Sequence, residues 1–288
     1  MRMKLNTLPP KLLIINDISG VGRCSMSVSL PVVSACKVQG IPVPTSVFSN
    51  HTGFPTHLKI DLTRQLKDYF AALNTLSMNW DGIYCGYLGA KEQLHAISHY
   101  YDSLTEKPLF IIDPVMGDHG RAYQHITPEF CNHMKDFLSR GDIITPNLTE
   151  ACLLTDMPYP EHDCTDSELS AISKKLHALG VKKCIITGCP KGDTFLNYIS
   201  DNCGNVNTVS TKKAGPGYPG TGDIFVSIVS ALTLRGFSLK ECTTQAAHFI
   251  ASCISYSQSL SDDTLQGVIF EPLLSDLVTL SSQERESK

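Results

Sequence analysis

Short apolar runs alternate with amphipathic stretches along most of the chain. KLLIIND (Lys11–Asp17) predicts a buried strand, CSMSVSLPVVSACKVQG (Cys24–Gly40) a helix stopped by its glycine, and IPVPTSVF (Ile41–Phe48) a second strand. Leu58, Leu62, Leu66, Tyr69 and Leu73 recur at helical spacing and predict a helix over His57–Leu73. The strand GIYCGYLG (Gly82–Gly89) and a helix over Lys91–Leu104 come next. PLFIID (Pro108–Asp113) and GDIITPN (Gly141–Asn147) predict strands on either side of a helix over Pro128–Leu138. A helix over Ser167–Leu179, the strand KKCIITG (Lys182–Gly188) and a strand pair, Asp193–Ser200 and Val206–Thr211, follow. Two helices, Thr221–Arg235 and Leu239–Ser257, close the pattern. Apolar strands of this length between helices indicate an α/β fold with a mostly parallel sheet covered on both faces. Ligands of such sheets bind at the carboxyl ends of the strands, so chemistry is expected there.

Composition narrows the picture. The chain has 288 residues, 42% hydrophobic and 18% charged, with no composition break or repeat, and is read as one domain over residues 1–288. The polar stretch Asp156–Asp166 is expected to be a surface connection, and Ser281–Lys288 a frayed end. A net charge of −4 argues against a nucleic-acid partner, which needs a positive surface, but not against an anionic small molecule. Eleven cysteines are scattered through apolar runs without C-x-x-C or metal-like spacing, which indicates buried thiols in a reducing compartment. The apolar run near the N-terminus is too short for a signal peptide or a membrane span, so a cytoplasmic protein with no membrane partner is expected.

Four expected strands end in polar residues that a core would not select. They are Asn16, Asp17 and Ser19 in NDISGVG; Asn50, His51 and Thr52 in SNHTGFP; Asp113, fixed by Pro114; and Thr145, Asn147 and Glu150 in DIITPNLTE. NLTE also reads as a capping box, in which Asn147 and Glu150 start a helix. Asp113 and Glu150 both stand just past parallel strands and so face one crevice. With the Thr145 hydroxyl they suit a Mg²⁺ that carries nucleotide phosphates and keeps most of its waters.

GPGYPGTGDIF (Gly215–Phe225) contains a G-x-G-x-x-G, but a dinucleotide fingerprint belongs after the first strand of a βαβ unit, with an acid at the next strand end. Here two helices follow, and Glu241, the acid at about the right distance, starts the second of them. What remains is GTGD at a helix N-terminus, where Gly220 and Gly222 let N–H groups turn toward an anion. Asp223 would repel that anion unless it accepts a proton from a hydroxyl attacking a γ-phosphate; simple helix capping is an equal reading at this point. No Walker or protein-kinase motif occurs.

GTGD, DPVMGDHG and DIITPNLTE together resemble the ribokinase-like superfamily, and FSNHTGFP, GYLGAKEQL and DPVMGD are similar to its vitamin B6 kinases. The likeness runs in order from about Leu12 to Ser257. It implies a mostly parallel sheet flanked by helices, a homodimer, and ATP-dependent phosphorylation of the 5′-hydroxymethyl group of pyridoxal, pyridoxine or pyridoxamine. Carried over by position, it implies Asp223 as the base and Gly220, Thr221 and Gly222 as the anion hole. It implies Ser19 and Thr52, with His51 beside them, as ring contacts. Asp113, Thr145, Asn147 and Glu150 would serve ATP and Mg²⁺, with Asp113 and Glu150 on the metal side. Thr187 and Gly188 would take a nucleotide-site position after a strand. Lys212 and Lys213 would lie near the adenine, although a solvated charged turn explains them as well. The superfamily also admits a monovalent cation. Thr187 departs from one branch that has lysine there, and Asp223 departs from members with a GTGC cysteine. Hydroxymethylpyrimidine (phosphate) kinases share the DPVM and TPN signatures and stand as the alternative; a non-catalytic ligand-binding module on the same fold is the alternative of another class.

Overall fold

The computed structural model describes residues 8–280 except Ser77, His125 and Asp262; the expected frayed end over Ser281–Lys288 lies outside the described residues. The strands are β1 (Lys11–Val21), β2 (Gln39–Asn50), β3 (Lys59–Asp61), β4 (Gly82–Cys85), β5 (Leu109–Ile112), β6 (Gly117–Asp118), β7 (Arg121–Ala122), β8 (Ile143–Ile144), β9 (Lys183–Lys191), β10 (Thr194–Asp201) and β11 (Val206–Lys212). The helices are α1 (Ser25–Ala35), α2 (Thr63–Asn74), α3 (Lys91–Ser103), α4 (Pro128–Leu138), α5 (Leu148–Thr155), α6 (Asp166–Ala178), α7 (Thr221–Leu234), α8 (Leu239–Leu260) and α9 (Leu274–Leu280).

Nine strands form one sheet in the order β11-β10-β9-β8-β5-β4-β1-β2-β3. The neighbours from β9 through to β2 run parallel, and β10, β11 and β3 add antiparallel edges. The mostly parallel α/β architecture expected from the alternating runs is therefore present. The period of two along β1 sends Leu13 and Ile15 into a core shared with α2 to α6, and Leu12 and Ile14 into a second core shared with α1, α7, α8 and α9. All four side chains are fully buried, which is why the run reads as continuously apolar.

Several boundaries differ from the sequence expectation, each for a local reason. α1 stops at Ala35, not at Gly40: the Lys37 N–H donates to the Ser34 carbonyl and the Val38 N–H to the Val33 carbonyl, with Lys37 left-handed at φ 61. That is a Schellman ending built on lysine, and Gln39–Gly40 already belong to β2. The helix expected over His57–Leu73 starts only at Thr63, because Lys59–Asp61 pair antiparallel with β2. The Asp61 carboxylate accepts the Thr63 N–H at 2.9 Å and turns the chain into the helix. β8 keeps only two of the residues expected in its strand. The hairpin β6–β7 was not expected, and α9 adds a third helix after the two that the pattern placed last.

Phe110 is fully buried on β5, with Tyr101 and Phe137 rings 4.8 and 5.7 Å from its own. Phe110→Ala is expected to cost about 3–5 kcal/mol of stability. A urea unfolding midpoint that moves by less than the equivalent of about 1 kcal/mol would contradict this packing.

Candidate active site

The direction of the crossovers reverses at β1: the chain steps from β1 to β2 on one side and returns to β4 on the other. The crevice outside the carboxyl ends of β1 and β4 is thus the place an open parallel sheet offers a ligand. Asn16, near that end of β1, is fully buried and bonds on every side. Its Oδ1 accepts the N–H groups of Asp17 and Tyr87, both at 2.9 Å. Its Nδ2 donates to the Asp223 carboxylate at 3.0 Å. The room for this amide comes from Gly86, where a Cβ would stand 2.7 Å from Asn16.

Asp223 lies in the first turn of α7. Besides Asn16, it accepts the Tyr84 hydroxyl at 3.4 Å and the Ser25 N–H, at the start of α1, at 2.7 Å. One carboxylate therefore receives donors from β1, β4 and α1. Burial raises its pKa above the ordinary carboxylate range, and these hydrogen bonds pull it part of the way back. α7 itself has no side-chain cap, so its first N–H groups stay open to an anion. Gly220 begins it at φ 81, and a Cβ there would collide with the Arg23 carbonyl oxygen; the space in front of Gly222 is open. Thr221 turns inward, its hydroxyl donating to the Tyr218 carbonyl at 3.1 Å.

On the neighbouring strand ends, Asp113 accepts the Thr145 hydroxyl at 3.2 Å. Burial, with the Asp223 charge nearby, pushes its pKa up to about 8. Glu150 is equally enclosed and also raised, by burial and by Asp113. Both of its oxygens are engaged: one accepts the Asn147 N–H at 2.8 Å, the other the Met116 N–H at 3.1 Å. The capping box at Asn147 is thus real, and Asn147 also donates to the Gly117 carbonyl at 2.8 Å. Glu150 and Asn147 together pin the DPVMG turn to the start of α5. No lysine, arginine or histidine forms an ion pair with Asp17, Asp113, Glu150 or Asp223 among the described residues.

The other expected positions divide. Asn147 and Thr187 come together in a parallel bridge, and the Thr187 N–H donates to the Pro146 carbonyl. Thr187 and Gly188 lie inside β9, not after it: the register against β10 slips there and Gly188 is left-handed at φ 67, which marks a bulge. Ser19 is buried and donates to Asp17 at 3.1 Å. His51 has both ring nitrogens occupied. Nδ1 accepts the Gly53 N–H at 3.0 Å, so Nε2 carries the proton and donates to the Leu265 carbonyl at 2.6 Å. It fastens the end of β2 to the Leu265 segment, while Thr52 is exposed beside it. Lys212 pairs with Thr194 in the edge hairpin, and Lys213 lies over the Phe195 ring at 5.2 Å. Neither lysine bonds to the carboxyl cluster. Tyr84 and the Ser25 N–H carry part of the site without having been singled out; the one signal was a hydroxyl-bearing residue inside the apolar run GIYC.

Among the described residues, no three His, Cys, Asp or Glu side chains stand close enough to hold a metal ion alone, and no helix is long and apolar enough to cross a membrane. A family model described as phosphomethylpyrimidine kinase matches residues 26–266. A provisionally named pyridoxal kinase of Caenorhabditis elegans is 32% identical over 204 residues, 63% of this chain and 61% of that protein. A Bacteroides thetaiotaomicron crystal form with pyridoxal, of a provisionally named phosphomethylpyrimidine kinase, superposes with a TM-score of 0.88 at 33% identity over 93% of this chain and 96% of that one. Pyridoxal kinase from Lactobacillus plantarum gives a TM-score of 0.87 at 28% identity, covering 96% and 99% of the two chains.

Asp113 has a raised native pKa, so its contribution to stability is fully present below about pH 4 and is lost as pH rises through about 8. Without nucleotide, Asp113→Asn is expected to raise the thermal midpoint strongly at pH 8.5 and to leave it nearly unchanged at pH 4, a contrast readable by scanning fluorimetry. An equal shift at both pH values would contradict the buried-charge account.

Proposed function

The chain belongs to the phosphomethylpyrimidine kinase family, and we propose that within it the protein transfers the γ-phosphoryl group of ATP to the 5′-hydroxymethyl group of pyridoxal, pyridoxine or pyridoxamine. One observation carries this reading: a carboxylate held by three donors stands beside an uncapped helix N-terminus, over the crevice where the sheet reverses, opposite a second buried acid with no cation on it. An alcohol placed there meets its base and its phosphate cradle at once.

Asp223 takes the hydroxyl proton as the oxygen attacks the γ-phosphorus and the bond to the ADP oxygen breaks. The open N–H groups from Gly220 to Asp223 receive the charge that spreads over the transferring phosphoryl oxygens. Asp113, with an oxygen left free by Thr145, would hold Mg²⁺ directly or through water, and Glu150 would act from behind it through the turn it pins. Such an ion neutralises phosphate charge and needs few protein ligands, which fits a cluster that has acids but no three-ligand cage. Positioning and electrostatics supply most of the acceleration.

Thr145, Asn147, Thr187 and Gly188 fall on the nucleotide side of this arrangement, and Ser19 and Thr52 on the ring side. His51 acts by fastening its loop. The assignment of Lys212 and Lys213 to the adenine end rests on chain position alone. One nine-stranded sheet runs beneath the candidate residues, which supports a single kinase domain. A homodimer belongs to the same reading, with the exposed Leu58 and Ile60 around edge strand β3 as an apolar patch for it.

The family model favours a second reading, phosphorylation of the hydroxymethylpyrimidine ring by the same base and cradle. ADP release measured side by side with pyridoxal, pyridoxine, pyridoxamine and the aminopyrimidine alcohol separates the two; the B6 vitamers are expected to give the higher kcat/KM. Asp223→Asn is expected to lower kcat about 10²–10⁴-fold while ATP still binds. Full activity in that variant would remove Asp223 as the base.

A further inference from the structure

The phosphotransfer reading leaves the hairpin β6–β7 without a task. Its two-residue tip is His119–Gly120, at φ 49 and 76, and two left-handed residues in succession are what a tight hairpin needs. That turn fixes the register: Asp118 lies opposite Arg121, Gly117 opposite Ala122, and the Tyr123 N–H donates to the Met116 carbonyl at 2.9 Å. The hairpin is fastened to the start of α5. The Gly117 carbonyl accepts Asn147 Nδ2 at 2.8 Å, and the Gly120 N–H donates to the Thr149 hydroxyl at 2.9 Å. Its tip reaches the loop ahead of α7, where a Cβ on Gly217 would stand 3.8 Å from His119 Nε2. The hairpin thus spans from the turn that presents Asp113 to the approach of the uncapped helix.

Alternation along the hairpin puts Asp118, Arg121 and Tyr123 on one face. That face looks toward the carboxyl cluster. Burial raises the Tyr123 phenol well above its ordinary pKa, and the charges of Glu150, Asp118, Asp113 and Asp223 add to the rise. The Asp118 charge acts on Glu150 as well. Arg121 shares this face and is exposed, and its guanidinium forms no ion pair among the described residues. Arg23, just after β1, is by contrast held by Glu271 at 2.7 Å. A triphosphate entering here adds negative charge to a cluster that already holds four acids, Asp113, Asp118, Glu150 and Asp223. One Mg²⁺ and one helix terminus return only part of it, and Thr187 brings no charge. A guanidinium with its fork of donors unused answers that deficit, because it pairs with phosphate through two parallel hydrogen bonds.

We propose that Arg121, carried on the β6–β7 hairpin, is the residue that grips the γ-phosphate of the nucleotide. Its guanidinium donates to the terminal phosphate oxygens from the side opposite the Gly220–Asp223 N–H groups, so the transferring group is held between the hairpin and α7. The class of ligand it selects is a nucleoside triphosphate over the diphosphate. Arg121 binds phosphate and takes no part in the proton transfer. This inference rests on the proposed function for the presence of a nucleotide in the crevice.

The test titrates ADP, or the non-hydrolysable imido analogue of ATP, each with Mg²⁺, into the wild type and Arg121→Ala by calorimetry, with no alcohol present. The variant is expected to bind the analogue about 10–100-fold more weakly than the wild type, the range of a hydrogen bond to a charged group. Its affinity for ADP is expected to stay within about threefold. A structural role would weaken both nucleotides together, and that result overturns the proposal. So does a variant that binds the analogue like the wild type, or a wild type that binds neither nucleotide. A second measurement needs no variant, so a variant that fails to fold leaves the test decisive: phenylglyoxal labelling of wild-type arginines, mapped by mass spectrometry. The analogue is expected to shield Arg121 from the reagent and ADP to leave it reactive; shielding by both nucleotides, or by neither, overturns the proposal. ADP formation from ATP and the B6 vitamers is read separately. Selective loss of analogue binding without any phosphorylation sinks the kinase reading and leaves Arg121 as a phosphate-binding residue, whereas phosphorylation with an unselective variant sinks Arg121 alone.

Discussion

The structure of the site depends on burying the Asp223 carboxylate with donors instead of a cation. Asn16, Tyr84 and the Ser25 N–H come from segments some 140 to 207 residues away in sequence, and each approaches a different side of one side chain. A carboxylate left unpaired at this depth would cost several kcal/mol, so these three donors decide whether α1, β1, β4 and α7 can meet as they do. The resulting charge stays unneutralised by any ion pair within the described chain. That is a poor arrangement for stability and a good one for receiving cations and donor-bearing ligands.

Neighbouring features follow from the same constraint. Gly86 makes room for the Asn16 amide, and Gly220 lets α7 start against the Arg23 carbonyl without a side chain in between. Asn147 and Glu150 lock the turn after Asp113, so that acid is presented by a rigid segment. The helix N-termini of α1 and α7 both point at Asp223. One has its N–H taken by the carboxylate, and the other keeps its N–H groups open. At α7 no side chain caps the first turn, and a Cβ at Gly222 would meet nothing within 4 Å.

Much of this was legible in the sequence. The continuous apolar runs identified the parallel strands because both faces of those strands are buried, and the polar residues at their ends marked the crevice. GTGD, DPVMGD and TPNLTE pointed to Asp223, Asp113 and the Asn147–Glu150 pair, which the fold brings to neighbouring strand ends. Less legible were features that depend on tertiary geometry. The left-handed Lys37 ends α1 early, although lysine carries no turn signal. Lys59–Asp61 became a strand because β2 offered an open edge, against a helical spacing of leucines. The roles of Tyr84 and of the Ser25 backbone amide were hidden, since a tyrosine in an apolar strand and a main-chain N–H look the same in sequence whether or not a carboxylate faces them. His51 stood out in SNHTGFP as a polar residue past β2, but its bond to the Leu265 carbonyl, 214 residues away, could not be read there.

That last bond bears on synthesis of the chain. His51 and Arg23 belong to loops made early, yet their partners are the Leu265 carbonyl, the Gln266 carbonyl and the Glu271 carboxylate. A nascent chain on the ribosome can pair β1 with β2 long before these partners emerge, but the loops that frame the crevice stay unfastened until residues 265–271 are out. A chain made only as far as α8 thus carries a formed sheet with an unfinished rim, and acquires its binding geometry once residues 265–271 can reach it.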